Sequence, residues 1–258
     1  MQLTGIDVSR YQGEIDWQAV ASDGVAFAMI KALQGAKLID KRFAQNAAGA
    51  ASAGIPFGVY VYSKARNAEE ASAEAEAALA LTNGLELSYP IAIDVESAHF
   101  LDMEEEERGE AITAFCSAVR AAGRIPMLYS NKDWLTNHIP KACSESVPVW
   151  LAQWRKTKPD YSGPYAMWQY GRAGVAGISG KVDMDICYVD FPSLALEARP
   201  VRFAVTSPLQ RGEPFLLMQR ALNAARYTDS NGDPLEADGV WGGKSQSALD
   251  KLVRSQRE

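Results

Sequence analysis

The stretch PIAIDVE, residues 90–96, decides how the rest of the chain is read. Its opening is continuously apolar, as in a parallel strand covered on both faces, where no side is left for alternating polar residues. It then closes on two acids, Asp94 and Glu96, one residue apart. Side chains alternate faces along a strand, so both carboxylates point the same way. Two like charges aimed into one space call for a chemical reason.

Working outward, similar runs recur on either side: TGIDVS (4–9), VAFAMIKA (25–32), PFGVYVYS (56–63), IPMLYS (125–130), VPVWLAQW (147–154), YAMWQY (165–170) and KVDMDICYV (181–189). Between the earlier ones lie helix-like segments that stop at glycines suited to a left-handed cap, ending at Gly54, Gly84 and Gly123. The acidic run at 104–107 opens one of these helices, where the dipole favours negative charge. Asp16 and Trp17 are read as building the turn after the first strand. Strand and helix alternating through eight strand candidates predict an α/β fold, an irregular parallel (β/α) barrel of the TIM-barrel type. The irregularity is expected around 155–164 and 171–180, which look too short and too rich in Gly and Pro for full helices. The pattern changes near residue 194. The reading assigns 1–193 to the barrel, 194–207 to a linker, and 208–258 to a small C-terminal all-α domain near the lower size limit for folding alone.

Composition narrows the function. The chain has 258 residues, 47% of them hydrophobic, and a formal net charge of -6. That is enough apolar material for a substantial core, and the acidic excess argues against a nucleic-acid partner. No apolar run approaches the roughly 18 to 20 residues of a membrane-spanning helix, so no membrane partner is expected, and the molecule is read as a monomer. Cys116, Cys143 and Cys187 lack CxxC pairing or nearby histidines, and His99 and His138 stand apart. Neither a metal nor a Ser-His-Asp triad is indicated, and no cofactor is expected.

Barrel geometry gives the acids a meaning, because such barrels place their active sites at the C-terminal ends of the strands. The residues collected there are Asp7, Tyr62, Asp94, Glu96, Tyr129, Trp150, Gln153, Trp154, Gln169, Asp183 and Asp185. Crowded carboxylates raise at least one pKa, so that one acid stays protonated while a neighbour is ionised. Glycoside hydrolysis needs that pairing, and Tyr and Trp faces suit sugar rings. Inverting pairs stand about 6.5 to 9.5 Å apart to admit a water. Acids this close on one strand leave little room for it, which favours retention.

The ordered set GIDVSRYQGEIDW, FAMIKA, FGVYVYS, AIDVE, MLYSN, VWLAQW, MWQY and KVDMD resembles the glycoside hydrolase family 25 lysozymes, the Chalaropsis-type muramidases, over roughly residues 3–192. The resemblance implies hydrolysis, with retention, of the β-1,4 bond between N-acetylmuramic acid and N-acetylglucosamine, with peptidoglycan glycan strands as the partner. Matched residue by residue, it implies Glu96 as general acid and Asp94 as companion carboxylate for the 2-acetamido group. Asp7 and Asp183 complete the catalytic set, and Tyr62, Tyr129, Asp185, Gln153, Trp150 and Trp168 are candidate substrate contacts. The closing element reads VDMD where Asn is more usual, so the choice between Asp183 and Asp185 as fourth acid stays open. Two other readings also stay open: a wall-carbohydrate-binding barrel without catalysis, and a chitinase-like glycosidase, although the DxxDxDxE pattern of the latter is absent.

PLQRGEPFLLMQRALNAARY followed by ADGVWGGKSQSALDKL is similar to the small three-helix peptidoglycan-binding repeat, with Asp238, Gly239, Gly242, Lys244 and Ala248 in its turn positions and Ser245 for Thr. DSNGDPLEADG has a superficial likeness to a calcium loop, but no acid closes it in register. The N-terminus has neither a basic start nor an apolar signal core. Together with the wall-lytic resemblance, this gives the expectation of a phage or prophage endolysin held in the host cytoplasm until a pore opens.

Overall fold

The fold is seen in a computed structural model that describes residues 2–155, 157–198 and 203–255. The chain divides into two compact units, Met1–Arg199 and Pro200–Glu258.

The first unit is built on strands β1 (Leu3–Val8), β2 (Phe27–Gln34), β3 (Leu38–Ile39), β4 (Phe57–Tyr62), β5 (Ile91–Asp94), β6 (Pro126–Asn131), β7 (Val149–Ala152), β8 (Met167–Ala173) and β9 (Val182–Cys187). Strands β1, β2 and β4–β9 close into a ring, with β3 added outside on β2. The expected barrel is present, and its irregularity has a definite form. Strand β9 runs antiparallel to both β8 and β1, whereas the other ring pairings are parallel. A parallel crossover takes about a dozen residues or more, and residues 174–181 are too few, so the chain must turn straight back.

Helices α1 (Trp17–Ser22), α2 (Phe43–Ser52), α3 (Ala68–Leu81), α4 (Glu105–Ala121), α5 (Lys132–Asn137), α6 (Lys141–Ser146) and α7 (Phe191–Ala198) complete the unit. Asp16 caps α1, its Oδ1 accepting from the N–H groups of Gln18 and Ala19 at 3.1 Å each. The acidic start of α4 folds back on itself, Glu107 accepting the Glu104 N–H at 3.0 Å. Gly54 and Gly123, behind α2 and α4, take the positive φ that ends a helix cheaply only at glycine. Residues 194–198, read from the sequence as the start of the linker, continue α7. Among the described residues no helix is long and apolar enough to cross a membrane.

Period-two alternation divides the core in two. Outward side chains such as Ile6, Ile30, Val59, Ile93, Leu128, Leu151 and Trp168 pack in one large cluster with helix residues such as Phe43, Ala75 and Phe115. Inward ones, Phe27, Met29, Ala92, Met127, Trp150, Met167 and Cys187, fill the lumen with Tyr89 and Phe191. Phe27 stacks on Tyr89 with centroids 4.7 Å apart. A Cβ on Gly5 would run into the Phe27 ring, so the missing side chain there is what lets the aromatic floor form. Above that floor the inward positions turn polar.

The second unit contains helices α8 (Glu213–Ala224) and α9 (Gly243–Ser255), and its core is Phe215, Leu222, Leu235, Trp241 and Ala248. It is not purely helical: β10 (Gln210–Arg211) and β11 (Val240–Trp241) form an antiparallel pair. Buried Gln219 holds it together, accepting the Gly239 N–H at 2.8 Å and donating to Ser245 Oγ at 3.0 Å. In the loop that looks like a calcium site, lysines take the cation positions. Lys251 Nζ donates to the Thr228 and Asp229 carbonyls, and Lys244 Nζ lies 3.4 Å from Asp229 Oδ2.

Candidate active site

Asp94 is the last residue of β5 and only 4% exposed. Its backbone is pinned on both sides, its carbonyl accepting the Ser63 N–H at 3.0 Å and the next residue, Val95, donating to the Tyr129 carbonyl at 2.9 Å. That pairing carries the strand path far enough for Glu96 to follow Asp94 into the same cleft, where Glu96 stands exposed at the mouth. Buried Glu74, on α3, braces the neighbouring strand end by accepting from Ser63 Oγ at 2.5 Å and the Lys64 N–H at 2.7 Å. Lys64 Nζ in turn donates to Ser97 Oγ at 3.0 Å, directly beside Glu96.

Across the cleft, Asp7 and Asp183 face each other as register partners on β1 and β9. Asp183 takes a two-pronged contact from Arg172, 2.5 Å from Nε to Oδ1 and 3.4 Å from Nη2 to Oδ2. The Arg172 guanidinium lies 5.2 Å from the Trp154 ring centroid. Asp7 Oδ2 accepts from Gln169 Nε2 at 2.8 Å. Gln169 presents its Oε1 to two donors, Trp154 Nε1 at 3.1 Å and Tyr129 Oη at 3.3 Å. The cleft encloses about 780 Å³ and is floored by Tyr60, Tyr129 and Trp150, with Tyr11 and Trp154 at its rim.

The electrostatics follow from crowding acids in a half-dry space. Burial pushes the Asp94 carboxyl well above the ordinary carboxylate range; Glu96 adds to this, and Lys31 and Lys64 oppose it. Desolvation by the cleft walls also raises Glu96, against the pull of Lys31. Burial first and Asp183 second carry Asp7 up to about 7. Lys31, 9% exposed, is itself lowered by burial, with Asp94 pulling the other way. Its ammonium sits 4.6 Å from the Tyr62 ring centroid, and Lys64 lies 4.8 Å from the same ring. The cleft therefore keeps a proton on at least one carboxyl near neutral pH while holding other negative charge against cations, the separation that acid catalysis needs.

Of the residues singled out from the sequence, Asp7, Tyr62, Asp94, Glu96, Tyr129, Trp150, Trp154, Gln169 and Asp183 line this one cleft. Three do not. Trp168 is one position out of phase with Gln169 on β8, faces the helices and donates its Nε1–H to the Gln153 carbonyl at 2.7 Å. Gln153 lies beyond β7 and fastens a loop, its side chain exchanging hydrogen bonds with Asp160. Asp185 is 0% exposed, one step below Asp7, so it cannot touch a substrate; Asp183 is the acid of that strand at the cleft surface. Sequence reasoning missed Lys31, Lys64, Arg172, Tyr60 and Tyr11. Lys31 had a signal, the single charge in an apolar strand, in phase with Phe27 and Met29.

A barrel whose strand ends gather carboxylates among aromatic faces defines a sugar-cleaving class of enzyme. The chain belongs to glycosyl hydrolases family 25, whose model matches residues 6–178. It is 28% identical over 249 residues to the autolytic lysozyme of Clostridium acetobutylicum, a match covering 96% of this chain and 71% of that protein. It is 31% identical over 195 residues to lysozyme M1 of Streptomyces globisporus, covering 70% and 66% of the two. The crystal structure of the bacterial lysozyme from Streptomyces coelicolor superposes with a TM-score of 0.65 at 25% identity, covering 76% of this chain and 96% of that one.

Proposed function

We propose that the cleft hydrolyses the β-1,4 bond between N-acetylmuramic acid and N-acetylglucosamine in bacterial peptidoglycan, with retention. The observation that carries this reading is the placing of Asp94 and Glu96 on one strand end, opening into one aromatic cleft opposite Asp7 and Asp183. Glu96, raised and solvent-accessible, is the general acid that protonates the leaving oxygen. Asp94 has a buried Oδ1 with no hydrogen-bond partner. The cleft-facing side of that carboxyl suits the N–H of a 2-acetamido group, which the carboxylate would orient as the acetamido oxygen attacks the sugar carbon from the face opposite the departing bond. Two displacements at one carbon restore its configuration. Tyr11 and Trp154, 77% and 56% exposed, offer flat faces for rings on either side of the cut.

The C-terminal unit is read as a wall anchor. Its signature residues Asp238, Gly239 and Ser245 are engaged by Gln219 in folding the turn, so the likeness speaks for the fold, and the anchoring role rests on what tethering does for an enzyme on an insoluble polymer.

Mass spectrometry of digested peptidoglycan tests the main reading. New reducing ends on N-acetylmuramic acid are expected. Reducing ends on N-acetylglucosamine would instead make this a glucosaminidase, and wall binding without released fragments would make it a binding protein.

A further inference from the structure

The proposed mechanism has no use for Asp185, yet an acid with no exposed surface at the heart of a barrel is costly unless something satisfies it. Its surroundings fix its hydrogen bonding atom by atom. Trp150 Nε1–H, which can only donate, points at Asp185 Oδ1 over 2.7 Å, so Oδ1 is an acceptor. The other oxygen, Oδ2, is buried and receives no hydrogen bond. The register pairs Asp185 with Gly5 and Asp183 with Asp7, so Asp185 lies diagonally below Asp7 and their carboxyls are neighbours. Asp7 already accepts from Gln169, whose amide is held in that sense because its oxygen faces the Trp154 N–H. Two neighbouring buried carboxyl groups, each accepting from a fixed N–H donor, repel each other unless one of them keeps a proton to share with the other.

We infer that Asp185 is a positioning residue: a neutral carboxylic acid that accepts the Trp150 N–H on Oδ1 and donates Oδ2–H to Asp7, holding Asp7 in one orientation beneath the substrate. Its link to turnover rests on the muramidase reading; the location of the proton does not. The other titratable and charged groups facing the pair are compatible with this assignment. Asp183 on β9 is matched by Arg172 on β8. Tyr60 on β4 and Tyr129 on β6 are held neutral, burial being the first cause in each case. Cys187, deeper on β9, and Tyr170 on β8 are pushed up too, again by burial first. Lys31 faces Asp94 and Asp40. Burial, and then Asp7, raise Asp185 well above the ordinary range, which agrees with a retained proton.

The test is carboxyl-carbon NMR of the full chain labelled at aspartate, titrated from pH 4 to 8, with Asp185→Asn and Asp185→Leu for comparison. Of the aspartate resonances that keep the protonated shift at pH 6, among which buried Asp94 and Asp7 are also expected, one should be missing from Asp185→Asn. An amide can accept from Trp150 and donate to Asp7 as the acid does, so Asp185→Asn should keep turnover within about threefold. Asp185→Leu removes the bond to Asp7 and leaves the Trp150 N–H without a partner, and should lose about tenfold or more. The proposal is overturned if the resonance lost in Asp185→Asn titrates with the exposed aspartates, or if Asn and Leu cost the same. The NMR arm stands even if the leucine variant fails to fold or the sugar specificity proves different.

Discussion

At the scale of single residues, the cleft is a division of labour among acids set by depth. Glu96 reaches the mouth, Asp94 lies beneath it, and Asp7 and Asp183 form the facing wall. General acid catalysis contributes about 100- to 10,000-fold, so Glu96→Gln should lose activity on that scale while glycan binding and melting temperature stay close to wild type. Reducing-end release measured beside isothermal binding checks this, and near-normal lysis by the variant would remove Glu96 from the role. Asp94→Asn should also lose most activity, and Asp7→Asn less, because Asp7 acts by shaping its neighbours' charge; equal, small losses from the two would contradict that order. The same burial has a consequence for stability. Asp7 is raised to about 7 in the fold, against an ordinary value of about 3.9 in an unfolded chain. A group raised on folding stabilises below its unfolded pKa and loses that contribution as pH climbs through the folded one. The melting temperature should therefore fall between pH 4 and pH 7, with a shallower fall in Asp7→Asn. A melting temperature that rises over this window would show that the acids are not buried as described.

At the scale of elements, most of what positions the site was legible in the sequence, and the exceptions have a common physical origin. The apolar runs and glycine stops locate strands and long helices because burial and helix ending impose residue types directly. Strand ends are less well marked. The run at 165–170 becomes a strand reaching Ala173, so Arg172, which holds Asp183, fell outside the sequence reading. Phase is the other weak point: Trp168 and Gln169 are adjacent, and only the ring's closure decides which faces the lumen. Direction is the third, since no residue type distinguishes an antiparallel β9 from a parallel one; only the length of the preceding connection does. Phase makes a sharp prediction. Trp168→Ala should destabilise by about 3–5 kcal/mol through the cavity it leaves, with kcat/KM of the folded enzyme almost unchanged. Trp154→Ala, at an exposed rim position, should alter stability by no more than about 0.5 kcal/mol yet raise KM several-fold. Denaturant melts run beside glycan kinetics measure both, and the opposite pattern would place Trp168 on the substrate side.

At the scale of the whole molecule, the chain joins a unit that carries every proposed catalytic residue to a unit that carries none of them. The cleft residues lie between Asp7 and Asp183, inside Met1–Arg199, and the small unit has its own core around Phe215 and Trp241. Each unit has a core of its own, and action on an insoluble wall gains from a tether. Holding an enzyme near its polymer raises the effective local concentration of bonds, and two linked weak contacts bind about 100- to 10,000-fold more tightly than either alone when both engage. Deleting residues 203–258 should leave cleavage of short soluble glycans within about twofold while weakening co-sedimentation with purified cell walls by about tenfold or more. Loss of activity on the short glycans would show that the small unit supports the barrel. Unchanged sedimentation would show that the barrel's own cleft supplies the grip on the wall, with the anchor reading discarded.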